Sequence, residues 1–331
     1  MHAADLLAWA RFTAYTAGWR HAPEVLRRIE IVGQRLRDRP LAIRRVTLAS
    51  LAIELVGWDD AFAADLRALV APHGRCESHG KTRLGDVLAR PSDADLQLVE
   101  TPQWHARAFV DAGFVVAPKR VAHVEHVSSP DNDYAARVRR DVERAELRAE
   151  VTRDVDALER FHRTMYLPTM RARHTSHARP TPLPILRTLL REGALLEVRD
   201  RTGKQVSGAL VAPSPLDRAT LQIVVVGVVD GDYQGTTDAM RLAPILFARD
   251  HARSSGVSRI DHLVTRPFPG DGLFQRKARW GAHVEDLPHR PDRLAVRVLR
   301  RSPALTKLLE DHPVLAFDAV DDARLTPTVL R

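Results

Sequence analysis

Residues 193–211, GALLEVRDRTGKQVSGALV, and residues 224–240, VVVGVVDGDYQGTTDAM, decide how this chain is read. In the first stretch, two aliphatic runs at 194–199 and 205–212 flank Asp200-Arg201-Thr202-Gly203-Lys204, and a glycine-bearing connection of that length predicts a β-hairpin. In the second, a long apolar strand over 219–229 runs into a helix over 233–255 that stops at Gly256. Further out, the pattern predicts a strand at 147–152, an amphipathic helix at 156–171 interrupted by Pro168, and a helix at about 184–192 behind the proline-rich 179–184. Beyond the long helix come a strand at 259–265, a short helix at 272–279 and a last strand at 294–299, followed by a tail that is polar and helical at best. Strands and helices in this order predict a mixed α/β layer with a mostly antiparallel sheet.

The first half is less patterned. Residues 1–40 read as two helices, the second opening near Pro23 and ending at Pro40, while 42–58 fits helix and strand alike. Residues 95–101 read as a strand, 102–112 as a short helix closed by Gly113, and 114–127 as strand. Turn residues and then a charged helix fill 128–146, where the domain junction is expected. A repeat links the halves. DLQLVET…AGF (95–114) and IDHLVTR…RWG (260–281) share the order strand, proline, short helix and glycine beside an aromatic, with Leu98 matching Leu263 and Gly113 matching Gly281. The expected organisation is an N-terminal domain over 1–128, a helical junction over 129–146, a C-terminal domain over 147–300 and a tail over 301–331.

The composition, 44% hydrophobic and 28% charged over 331 residues, is that of a globular protein of about two domains and excludes disordered, collagenous or coiled-coil chains. The net charge of +8 favours a polyanionic partner. Five lysines (Lys81, Lys119, Lys204, Lys277, Lys307) stand against 45 arginines, a skew that fits GC-rich coding and discounts the charge. Cys76 is the only cysteine, so neither an intrachain disulfide nor a cysteine metal cluster can form. Asp5 and Arg11 interrupt the apolar N-terminus, and no apolar run reaches about 18 residues; we expect a cytoplasmic protein without a membrane span.

The segments FHRTMYLPTMRARH (161–174), 193–211, 224–240 and DGLFQRKARWGA (271–282) together resemble the GNAT acyltransferases, and within them the branch of Fem-type aminoacyl-tRNA-dependent transferases. The resemblance covers about 147–300 and is weak over 1–127. It implies tandem GNAT-like domains, the first degenerate, and direct transfer of an acyl group to an amine without a covalent enzyme intermediate. Acyl-CoA-using members carry a Gln/Arg-x-x-Gly-x-Gly/Ala loop whose backbone N–H groups hold pyrophosphate. Here Asp232, Gly235 and Thr237 stand at those positions and Asp238 follows, so only the central glycine matches. Two carboxylates there oppose a pyrophosphate, which favours aminoacyl-tRNA as donor, with no bound cofactor, over the alternative of acetyl-CoA. A second alternative is a non-catalytic RNA- or protein-binding relative.

Lys277 heads the candidate residues, because in an arginine-rich chain a lysine inside QRKAR offers a compact ammonium, and the resemblance implies a place near the reacting carbonyl. Asp261 and His262 neighbour each other on a strand beside the expected cleft; alternation lets one face it, as a base. Arg173, His174, Tyr166, Tyr233 and Trp280 are candidates for substrate contact. Arg137, Arg139, Arg140 and Arg144, with Arg276 and Arg279, are candidates for tRNA phosphates. Trp104 and Phe274 read as core aromatics. His162, His174 and His177 lack the spacing and carboxylate partner of a metal site, and none is expected.

Overall fold

The computed structural model describes residues 40–48, 50–58, 74–174, 180–214, 217–232, 235–286, 292–317 and 325–328. The helices expected over 1–40 and the side chains of Trp104 and His174 lie outside the described residues, as does Tyr233.

In chain order the elements are β1 (Leu41–Leu48), β2 (Leu51–Gly57), β3 (Arg75–Thr82), α1 (Leu84–Val87), β4 (Leu96–Pro102), α2 (Ala106–Asp111), β5 (Val115–Pro118) and β6 (Val121–His126). Then follow α3 (Asp133–Arg144), β7 (Arg148–Thr152), α4 (Val155–Phe161), a π-helical turn (His162–Tyr166), α5 (Leu167–His174), α6 (Leu183–Leu190), β8 (Ala194–Arg199), β9 (Gln205–Pro213) and β10 (Thr220–Val228). The rest are α7 (Asp238–Ser254), β11 (Arg259–Thr265), α8 (Gly272–Ala278), β12 (His283–Glu285), β13 (Asp292–Val298), α9 (Pro303–Asp311), β14 (Val314–Phe317) and β15 (Leu325–Thr328). Side-chain oxygens begin several helices by taking orphan N–H groups: Asn132 from Ala135, Asp154 from Asp156 and Ala157, Thr237 from Met240, Ser302 from Leu305.

The chain divides into two compact units. One holds His123–Leu263 and Lys277–His283. Its sheet has the order β12-β6-β11-β10-β9-β8-β7. The ladders β7–β8, β8–β9 and β9–β10 are antiparallel, and β10 runs parallel to β11. On one face Phe161, Tyr166 and Leu186 from the α4–α6 segment pack on Leu195, Leu210 and Val225; on the other, α7 covers Ala209, Val211 and Ile260 through Ala248 and Ala252. The mixed, mostly antiparallel α/β layer is as expected, with helices on both faces.

Among the described residues, the second unit comprises those between 40 and 122, Val264–Arg276 and those from Val284 onward. Its sheet has the order β3-β1-β2-β4-β13-β5, with β2 parallel to β4 and β13 antiparallel to both its neighbours. The ambiguous 42–58 is a hairpin. Residues 51–57 are buried throughout, so the stretch carries no alternation to separate strand from helix. The tail after Arg300 departs from the sequence reading. α9 and β14 set Leu305, Leu309 and Val314 into the core beside Phe268, Leu294 and Val296. Phe274 is buried against Val121 and Leu315.

Candidate functional site

The site in the first unit starts from a ladder that stops early. β10 and β11 are paired at Thr220↔Arg259, Leu221↔Ile260 and Gln222↔Asp261, yet β10 runs on to Val228 and β11 to Thr265. Just past that point the β10 register against β9 shifts between Ile223 and Val225. A bulge of this kind re-aims backbone groups and is frequent beside active sites.

Side chains hold the backbone where the ladder ends. Asp261 accepts from Gln222 Nε2 on β10 (2.9 Å) through one carboxylate oxygen and from the Leu263 N–H (2.7 Å) through the other. Leu263 has φ +62°, a left-handed conformation that costs a branched residue about 1–2 kcal/mol. Its carbonyl accepts a hydrogen bond from Lys277 Nζ at 2.8 Å. The ammonium predicted to act is therefore anchored at the point where the two parallel strands part. Asp261 holds Leu263 and Gln222 there.

His262 points the other way, as strand alternation requires, and is 6% exposed. Its Nε2 lies 3.2 Å from Glu125 Oε2 on β6; Glu125 Oε1 accepts from Arg249 Nε at 2.7 Å; and Arg249 lies 3.1 Å from Asp131. This set ties β6, β11 and α7 together, and it places His262 in the core instead of the cleft. Trp280, 1% exposed, stands edge-on to the Tyr134 ring (centroids 5.3 Å apart), with the Arg249 guanidinium 5.6 Å from its own centroid. This candidate for substrate contact is a core residue with no face open to a substrate. Gly281 follows at φ +86°, and the Asn132 side chain donates to the Arg279 carbonyl at 2.9 Å.

The remaining candidates are scattered. Tyr166 is 4% exposed; its hydroxyl accepts the Thr181 N–H at 2.8 Å and so pins the proline-rich segment. Burial pushes the pKa of the neighbouring His162 below the usual imidazole range. Arg173 is exposed on α5. Arg139 is bound twice by Asp250 (2.9 Å each) and once by Asp131 (3.0 Å). Arg144 pairs with Asp141, and Arg137 sits 5.2 Å from the Tyr134 ring centroid. Arg140, Arg276 and Arg279 are exposed. The set Arg137, Arg139, Arg140 and Arg144 shares α3 with Asp133, Asp141 and Glu143.

In the loop before α7 a carboxylate takes one of the backbone N–H groups. Asp232 accepts the Gly235 N–H at 2.6 Å, and a Cβ at Gly235 would strike that same carboxylate. Asp238 pairs with Arg241 one turn into the helix. Among the described residues no group of three or more His, Cys, Asp or Glu side chains could hold a metal ion. No helix there is long and apolar enough to cross a membrane. Gln222, Glu125 and Arg249 escaped the sequence reading; for Glu125 and Arg249 the signal was a charge inside the apolar runs AHVEHV and ILFARDHA.

No family model and no curated protein matches this chain. Among solved structures it is similar to L-PGS from Bacillus licheniformis, at 11% identity and a TM-score of 0.42 over 82% of this chain and 85% of that one. It is also similar to the C-terminal DUF2156 domain of an Agrobacterium fabrum protein named for lysylphosphatidylglycerol synthesis (14%, TM-score 0.41, 81% and 84%). A third is a GCN5-related N-acetyltransferase from Sphaerobacter thermophilus (13%, TM-score 0.34, 82% and 86%).

Proposed function

We propose that the chain is a GNAT-type N-acyltransferase that moves an aminoacyl group from aminoacyl-tRNA to an amine on a peptidoglycan precursor, a peptide or a small metabolite. The observation that carries the reading is Lys277 Nζ, anchored on the Leu263 carbonyl where β10 and β11 part. In this reading the acceptor amine attacks the ester carbonyl of the donor, the C–N bond forms, and the tetrahedral oxyanion develops beside the Lys277 ammonium. Collapse breaks the C–O bond, and the ribose hydroxyl leaves with the proton the amine gives up. A fixed positive donor aimed at charge that exists only in the transition state stabilises it selectively.

Asp232 supports the choice of donor. With its carboxylate on the Gly235 N–H, the loop that would cradle a CoA pyrophosphate holds a negative charge of its own.

Incubation with a pool of charged tRNAs and candidate amines tests the reading. Ribonuclease-sensitive transfer is expected, with Lys277→Ala lowering turnover by roughly 100- to 1,000-fold, the usual loss for one oxyanion donor. Absence of transfer and of tRNA deacylation at low salt overturns it. Tight binding of acetyl-CoA in calorimetry overturns the role given to Asp232.

A further inference from the structure

Residues 160–191 hold seven arginines and three histidines but no aspartate or glutamate, in a chain with 42 acids among 331 residues. The run begins at the end of α4 and includes the π-turn, α5 and α6. Arg160, Arg163, Arg171 and Arg191 are exposed and pair with no carboxylate among the described residues, while Arg187 pairs with Glu159 just outside the run. The π-turn matters to the pattern. An α-turn of about 3.6 residues plus a turn wider by about one residue spans about eight, the separation of Arg163 and Arg171, so both fall on one face. The opposite face is the buried one, with Phe161, Met165 and Tyr166 in the core.

The position of this face is fixed by glycines. A Cβ at Gly227 would lie 2.9 Å from backbone atoms of Met165 and Tyr166, and one at Gly231 would strike Pro168. Thr169 Oγ1 also accepts the Val228 N–H at 2.9 Å. The helical run therefore crosses the C-terminal end of β10, where the strands part. The large hydrophobics exposed among the described residues are Val110, Val151, Val155 and Leu273, none of them in 160–191. A basic face without apolar side chains to insert suits a phosphate track better than a bilayer. Arginine forks bind phosphate oxygens in pairs.

We propose that the exposed face carrying Arg160, Arg163 and Arg171 docks the phosphodiester backbone of RNA and leads the acceptor end of a charged tRNA to the β10–β11 split; the second clause rests on the aminoacyl-transfer reading, the first does not. The probe is uncharged bulk tRNA, titrated into the full chain by fluorescence anisotropy between roughly 50 and 200 mM salt. Arg160→Gln/Arg163→Gln/Arg171→Gln is expected to weaken binding about tenfold or more at low salt and to reduce the salt slope by about 2–3. Its circular dichroism and melting temperature should match the parent, because the substituted side chains are exposed. Arg137→Gln/Arg140→Gln/Arg144→Gln, on a face shared with acids, should leave the slope unchanged. An equal loss in that variant overturns the assignment, as does an unchanged slope in the first. Binding to phosphatidylglycerol vesicles but not to tRNA overturns it in favour of a membrane surface. If the first variant loses tRNA while the parent transfers no aminoacyl group, the face stands and the transferase reading falls. If transfer proceeds with an unaltered KM for charged tRNA in that variant, the face falls and the reading stands.

Discussion

Asp131 shows at the residue scale how charge is used inside the first unit. Partial burial alone raises its pKa, but hydrogen bonds from Arg253 and Arg139 and the charge of Arg249 outweigh that and leave it at about 2, against 3.8 for a free aspartate. A carboxylate depressed in the folded state adds stability above its unfolded pKa and loses it as pH falls through the folded value. Asp131→Asn should therefore cost roughly 1–2 kcal/mol at pH 7, after discounting for solvent screening. The deficit should shrink between about pH 4 and about pH 2, as urea titrations of parent and variant would show. A deficit that does not change with pH contradicts this account. Leu263 is the other informative residue. Its left-handed backbone is held by Asp261 on the N–H and Lys277 on the carbonyl, so a strained conformation serves to place an ammonium.

At the element scale the α4–α5 segment departs most from a regular helix. The sequence reading placed the interruption at Pro168; the structure places it in the preceding turn, where Leu167 N–H bonds to the His162 carbonyl five residues back. Proline lacks an N–H and crowds the carbonyl four residues before it, and a widened turn relieves both. The same segment presses on β10 at Gly227, where the nearest atoms to an added methyl are backbone atoms that cannot rotate away. Gly227→Ala should cost about 1–3 kcal/mol in a denaturant titration with an unchanged m-value. No loss of stability would mean that the helix can lift from the strand. The hairpin β8–β9, the strands β4 and β11, and the glycine stops at Gly113 and Gly256, both at positive φ, were legible from local pattern. Leu263, Gln222 and the Glu125–Arg249 pair were not, because each depends on a neighbour distant in sequence.

At the scale of the whole molecule the two sheets repeat one plan. The order β3-β1-β2-β4-β13-β5 matches β8-β9-β10-β11-β6-β12, with the parallel pair β2–β4 in the place of β10–β11. The 165-residue offset between Leu98 and Leu263 is the sequence trace of this repeat, and it aligns Gln97 with His262. Both are buried, and each bonds to a charged residue on the next strand: Arg297 on β13 for Gln97 (3.1 Å), Glu125 on β6 for His262 (3.2 Å). β13, which follows β12 in the chain, lies between β4 and β5, and β6, which follows β5, lies between β11 and β12. Residues 1–128 expressed alone lack the strand between β4 and β5, so they should show no cooperative unfolding by circular dichroism and rapid proteolysis. A cooperatively folded fragment would contradict this.

The sequence by itself determined the α/β class, the order of strands and helices over 147–279, the repeat, and Lys277 as the residue to examine. These follow from side-chain periodicity and turn chemistry, which act over a few residues. Tertiary structure alone decided that His262 and Trp280 are core residues, that the tail after Arg300 closes a hydrophobic core, and that β13 belongs to the other sheet. Strand pairing and the burial of charge are set by contacts between residues far apart in the chain, 200 positions in the case of Gln97 and Arg297, and no local pattern encodes such a contact.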